Sequence, residues 1–269
     1  ALSFVEKPED VPDQELPYDP RNVWTPQYGL KKFSDLFTNR QLVALAALSD
    51  LVSEARDKVL EDAKAAGLSL GERLEDGGIG AEAYADAVAT YLALGVSRTA
   101  DYCNALCTWN NARDTVAHLF IRQAIPMAWD YIESNIFSDS SGNFFGQLKW
   151  IIKALQRVPA LAKGEARQVS ALNRKYSHFV ISADPPYYDN IEYSDLSDFF
   201  YVWLRRSLGG IHSSIVATML SPKAEELVAN PYRHNGKQGA EKFFVDGFNS
   251  VFHRIQQNGI DRSEERRVG

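Results

Sequence analysis

At 269 residues, with a net charge of −6 and 45% hydrophobic content, the chain is long enough to bury a sizeable core. The acidic balance excludes a generally basic nucleic-acid binder, and no apolar run approaches the ~20 residues that span a bilayer. Cys103 and Cys107 are the only cysteines, too few for a zinc site; with no signal-peptide organisation in the opening residues, a reducing, cytoplasmic setting is expected.

Residues 1–32 read as an extended arm, because Pro8, Pro12, Pro17, Pro20 and Pro26 interrupt an acidic stretch that has no apolar period. A helical region is expected over 33–134. Thr38 or Asn39 can cap a first helix, in which Leu42, Leu45, Ala46, Ser49 and Val52 recur at helical spacing as far as residue 66. Residues 67–80, with Gly71, Gly77, Gly78 and Gly80, form a loop. The glycines at 77, 78 and 80 lack both the preceding strand and the full spacing of a phosphate cradle. A second helix is expected over 81–107. Tyr84, Tyr91 and Tyr102 would pack along it, with Cys103 and Cys107 as small apolar residues one turn apart. A third is expected over 113–129, kinked or ended near Pro126, with His118 as a lone structural histidine.

Residues 135–258 make up a second region. A polar loop, 135–145, precedes a helix over 146–155. Ser140, Ser141 and Asn143 either cap that helix or hydrogen-bond a ligand, capping being the simpler reading. Lys149, Lys153, Arg157, Lys163, Arg167, Arg174 and Lys175 stand against a single Glu165. Such a run suits either phosphate neutralisation or a solvated helix face. A short strand is expected over 167–172. Further on, Ser194 or Asp195 caps a helix to residue 208, whose Phe199, Phe200, Trp203 and Leu204 would pack inward and which Gly209 and Gly210 close. Ser221-Pro222-Lys223 reads as a turn into a short helix within 215–230. Residues 230–239 form a polar loop with potential nucleic-acid donors, and 242–256 are helical. Residues 259–269 carry no apolar period and read as a tail.

The centre of the chain is the apolar run Phe179-Val180-Ile181, β-branched like a short buried strand, which leads into Asp184-Pro185-Pro186-Tyr187. Two prolines remove two backbone donors and stop strand or helix there. Ligands of open α/β sheets sit beyond the carboxyl ends of strands. A carboxylate, outward carbonyls and an aromatic ring at that place would suit a flat, hydrogen-bonding substrate.

This tetrapeptide resembles the catalytic motif of the amino-group methyltransferases that act on adenine N6 or cytosine N4 in DNA. The longer stretch DPPYYDNIEYSDLSDFFYVWLRR, residues 184–206, is similar to one branch of them. That branch is the large adenine-specific DNA methylases that carry an N-terminal domain of unknown function and are associated with anti-phage loci. The similarity extends over most of residues 28–255. The resemblance implies an α/β fold, a Rossmann-like S-adenosylmethionine-dependent methyltransferase core, incomplete here, behind a mainly α-helical N-terminal half. Residues 135–258 would be the half of that core that carries the catalytic motif. The resemblance also implies S-adenosyl-L-methionine as cofactor, DNA as partner, companion proteins of a defence locus, and no metal.

In that reading Asp184 and the Pro185 carbonyl aim the lone pair of the amine, with Pro186 fixing the turn, and Tyr187 stacks on a base taken out of the duplex. Asp184 would also approach the cofactor, while Tyr188, Asp189, Asn190 and Tyr193 would rim the pocket. An aspartate at the first position leans towards adenine N6, where asparagine would favour an amide and serine cytosine N4. The family's Phe-x-Gly-x-Gly turn, which seats the cofactor, is not found in this sequence. An internal, inactive fragment of the enzyme is therefore expected. A non-catalytic DNA-binding or interaction module, and methylation of RNA or of a protein amide, are the competing readings.

Overall fold

The computed structural model describes residues 5–158, 164–174, 176 and 180–258. The chain forms two compact units, Ala1–Ala162 with Tyr193–Pro222 and Lys163–Glu192 with Lys223–Gly269. These units cut across the regions expected from the sequence: the helix after the motif belongs to the first unit and the motif itself to the second.

The first unit is built on α1 (Asn39–Ala65) and α2 (Ala81–Ala100). Thr38 starts α1 with a reciprocal cap, its hydroxyl accepting from the Gln41 amide at 3.3 Å and its own amide donating to the Gln41 side chain at 2.8 Å. Leu42, Leu45 and Val52 of α1 are buried, as are Ala85, Ala89 and Ala93 of α2. The small side chains on α2 let the two helices approach closely. Helix α4 (Tyr193–Leu208) packs on both. Its Phe199 and Trp203 are fully buried, and Phe37 lies between them, stacked on Phe199 at 5.6 Å and edge-on to Trp203 at 5.4 Å.

Charge fixes the same helices. Buried Asp86 of α2 accepts from Arg56 of α1 at 2.8 Å, from Arg73 at 2.7 Å and from the Leu74 amide at 3.1 Å. Burial pushes the Asp86 carboxyl up, but the two guanidinium groups outweigh it and hold it below the ordinary carboxylate range. The loop that carries Arg73 closes tightly. Gly71 has φ +68°, and a Cβ there would lie 1.7 Å from the Ile79 carbonyl oxygen.

Two strands, β1 (Thr108–Asn110) and β2 (Thr115–Ala117), pair antiparallel, and α3 (Phe144–Leu155) lies on α2. Asn143 caps α3, accepting from the Gly146 amide at 2.7 Å. Several expectations from the sequence are overturned in this region. The second helix stops at Ala100, where the Tyr102 amide turns in to the Thr99 carbonyl at 3.0 Å and the buried Asn104 side chain takes the Ala100 and Asp101 carbonyls. Cys103 and Cys107 are nevertheless buried, and burial pushes each thiol up to about 12. The third helix, 113–129, is replaced by β2 and a 3-10 turn over Leu119–Ile121, because the amides of Leu119 and Ile125 are taken by the carbonyls of Asp101 and Asn22. The arm is not free: Leu16 and Val23 are buried, and the Leu16 amide donates to the Lys31 carbonyl at 2.7 Å. Described residues within 167–172 form no strand, and 215–230 form no helix.

In the second unit the regular element among the described residues is α5 (Lys237–Asn258). Val228, Ala229, Ala240 and Val251 are buried there. Phe244, Phe248 and Phe252 form a ladder along the helix at 4.7 and 5.8 Å.

Across the described residues the architecture is helical with one small antiparallel sheet, and the mainly helical N-terminal half stands as expected. A Rossmann-like parallel sheet is not among the described residues. No helix among them is long and apolar enough to cross a membrane.

Candidate active site

Irregular backbone carries the motif. Phe179 lies outside the described residues; Val180 and Ile181 are in no strand, and Val180 is wholly exposed, so the expected strand is not seen in its described part. With no amide hydrogen at Pro185 or Pro186, a hydrogen-bonded ladder cannot continue through those two positions.

Asp184 and Tyr187 come together. The Tyr187 hydroxyl donates to Asp184 Oδ1 at 2.8 Å, which ties the ring to the carboxylate, and Tyr187 remains 51% exposed. Asp184 Oδ2 has no protein partner among the described residues. The chain then turns sharply, with the Tyr188 amide donating to the Pro186 carbonyl and the Asn190 amide to the Tyr187 carbonyl, both at 3.1 Å. Tyr188 takes a left-handed backbone, φ +57°. Its carbonyl accepts from the Ala229 amide at 2.9 Å, and its ring stands edge-on to Phe244 at 5.1 Å.

Tyr188 therefore anchors the turn through its carbonyl and its ring. Asp189 is half-buried and Asn190 exposed on the same turn. Tyr193, the fourth expected rim residue, opens α4 in the first unit, where it is 40% exposed.

The clamp made by Ala229 and Phe244 was not legible, since neither residue carries a polar signature. An ionic cluster beside it was also missed. Arg233 donates to Glu226 at 2.7 Å and lies 4.0 Å from the fully buried Glu192. The spacing of Glu192, Glu226 and Arg233 gives no periodic signal. Of the expected nucleic-acid donors of the 230–239 loop, Arg233 is used internally in that cluster, while the His234 ring is stacked on Phe243 at 3.9 Å. Burial, with nearby Arg233, lowers the His234 pKa.

The basic run divides. Lys149 and Lys153 project from α3 into solvent, Lys153 over the Trp150 ring at 4.8 Å, and Arg157 is exposed just beyond the helix. Arg167 pairs with Glu165 at 2.5 Å, while Lys163 and Lys175 lie outside the described residues. No protein-family model, no curated protein and no solved structure matches the chain.

Proposed function

We propose that this chain carries the base-binding motif of an S-adenosylmethionine-dependent DNA methyltransferase acting on an exocyclic amine, adenine N6 before cytosine N4. One observation carries the reading. Asp184 and Tyr187 are joined by a 2.8 Å hydrogen bond on an exposed Pro-Pro turn, with the second carboxylate oxygen turned to no protein group among the described residues. The lone pair of an aromatic amine is delocalised into its ring. Acceptors that take its hydrogens draw the nitrogen towards tetrahedral geometry and direct the lone pair outwards. Asp184 Oδ2 and the Pro185 carbonyl would accept those hydrogens, and the Tyr187 ring, held by its own hydroxyl, would offer a stacking face to an extruded base.

The residues around the motif do not by themselves fit the methyl donor. No glycine-rich turn beside a strand stands near Asp184 among the described residues. The part assigned to this chain is confined to capturing and orienting the amine. The competing reading, a non-catalytic DNA-binding module, draws on that same missing turn. Asp184→Ala in the enzyme that carries this segment should abolish tritiated-methyl incorporation and leave DNA affinity within a few-fold, since phosphate contacts dominate affinity. Incorporation near the wild-type level would refute the assignment.

A further inference from the structure

The first unit holds a cavity of about 520 Å³ that the motif does not touch. It lies between the β1–β2 hairpin, the loop before α3 and the first turns of α3, and its size is that of a small-ligand site. Its walls combine two kinds of group. Tyr102, His118 and Trp150 supply flat rings; Trp150 is 61% exposed, with Lys153 over one face of its ring. Arg113 and Asp139 supply opposite charges. Neither the Arg113 guanidinium nor the Asp139 carboxylate has a side-chain partner among the described residues, and they do not pair with each other.

His118 is oriented rather than free. Its Nδ1 is 2.8 Å from the Asp101 carboxylate, which can only accept, so Nδ1 carries the hydrogen and Nε2 is the nitrogen left for a ligand. Loop and hairpin are stitched by a 2.5 Å hydrogen bond from Thr115 Oγ1 to Ser141 Oγ, which fixes the cavity wall before anything binds.

We infer that this cavity binds a nucleotide with an amino-substituted base. A free guanidinium selects an oxyanion, and a phosphate in particular. A carboxylate at the same cavity repels a second anion and accepts amine hydrogens instead. Ring walls suit a planar heterocycle, which aromatic side chains stack on whatever its sequence context. A flat aminated ring bearing one phosphate satisfies all three demands; a bare phosphate or a lipid tail satisfies only one. The source is either a free mononucleotide or a residue of a single strand. The inference stands apart from the methyltransferase reading, since none of its residues belongs to the motif.

Isothermal titration of the whole chain with AMP, adenosine and inorganic phosphate tests it. AMP should bind saturably and more tightly than either part. Arg113→Ala should weaken AMP about tenfold or more, the ratio that ~1.4 kcal/mol represents, and leave adenosine unchanged. Asp139→Asn should weaken adenosine and should not weaken phosphate, whose repulsion by the carboxylate it removes. Both side chains are exposed, so unchanged circular dichroism is expected for the variants. Asp184→Ala should leave AMP binding as it was, which separates this site from the motif. A single-stranded oligoadenylate that displaces AMP identifies the strand as the source, and failure to displace it identifies the free nucleotide. No saturable AMP binding at millimolar concentration, phosphate binding as tight as AMP, or AMP binding indifferent to both cavity variants would overturn the inference.

Discussion

The two units hold themselves together by different means. In the first, Phe33, Leu36, Leu45, Phe199 and Trp203 are completely or almost completely buried where long helices meet, and Asp86 ties two of those helices by charge. In the second, the described residues comprise α5, the buried Val228, Ala229, Ala240 and Val251, and a long irregular segment in which the motif's turn receives an amide from Ala229 and a ring contact from Phe244. Most of the buried apolar side chains belong to the unit without the motif. A segment of irregular backbone with little buried apolar surface around it is where low local stability is expected.

The contrast is largest in exchange rates. Amides in the middle of α1 and α2 should exchange at least about a thousandfold more slowly than those of residues 180–190, the ratio for ~4 kcal/mol between local openings. Similar protection in both would erase the distinction. Truncating Trp203 to Ala should cost the first unit about 3–5 kcal/mol, whereas Phe244→Ala should cost the second only ~1 kcal/mol, read by urea midpoints and segment-resolved exchange.

Asp86→Asn comes next, at about 3 kcal/mol near neutral pH, because it leaves two guanidinium groups facing a neutral amide. The sign of its pH dependence is fixed. The folded-state pKa lies below the unfolded value of about 3.9, so the contribution of the carboxylate is complete above that value and is lost as pH falls through the folded pKa. Wild type and variant should therefore converge in acid, and a gap that widens there would contradict the assignment. The smallest effect concerns the surface of α3. If Lys149, Lys153 and Arg157 meet phosphates, neutralising each should flatten the slope of log affinity on log salt by roughly 0.9; an unchanged slope leaves them as a solvated face.

Legibility in the sequence tracks locality. The Thr38 cap, the α1 stripe, α4 and its inward aromatics, and the cap at Asn143 were all written within a few turns of sequence. What was misread depends on distant partners. Val116, Leu119 and Phe120 have helical spacing, yet the Leu119 amide is claimed by Asp101 and the Ile125 amide by Asn22, a residue of the expected extended arm. Proline content marked that arm as a linker, but proline forbids only its own hydrogen bonds, and Leu16 and Val23 are buried all the same. At the motif, the meeting of Asp184 with Tyr187 comes from a spacing of three across a rigid turn. The Ala229 and Phe244 clamp lies far along the chain and left no trace there.

Gly71 places an unusual limit on how this sequence can drift. A Cβ would come within 1.7 Å of the Ile79 carbonyl oxygen, backbone that no rotamer change can move aside, and φ +68° adds its own bar to any other residue. Tolerance in the loop is thus uneven. Gly77, though also left-handed, has open space around it, so asparagine or aspartate can stand there at modest cost. In a saturation library selected for folded protein, position 71 should return glycine alone while position 77 returns a small polar set. Two glycines six residues apart, identical as letters, carry very different amounts of information.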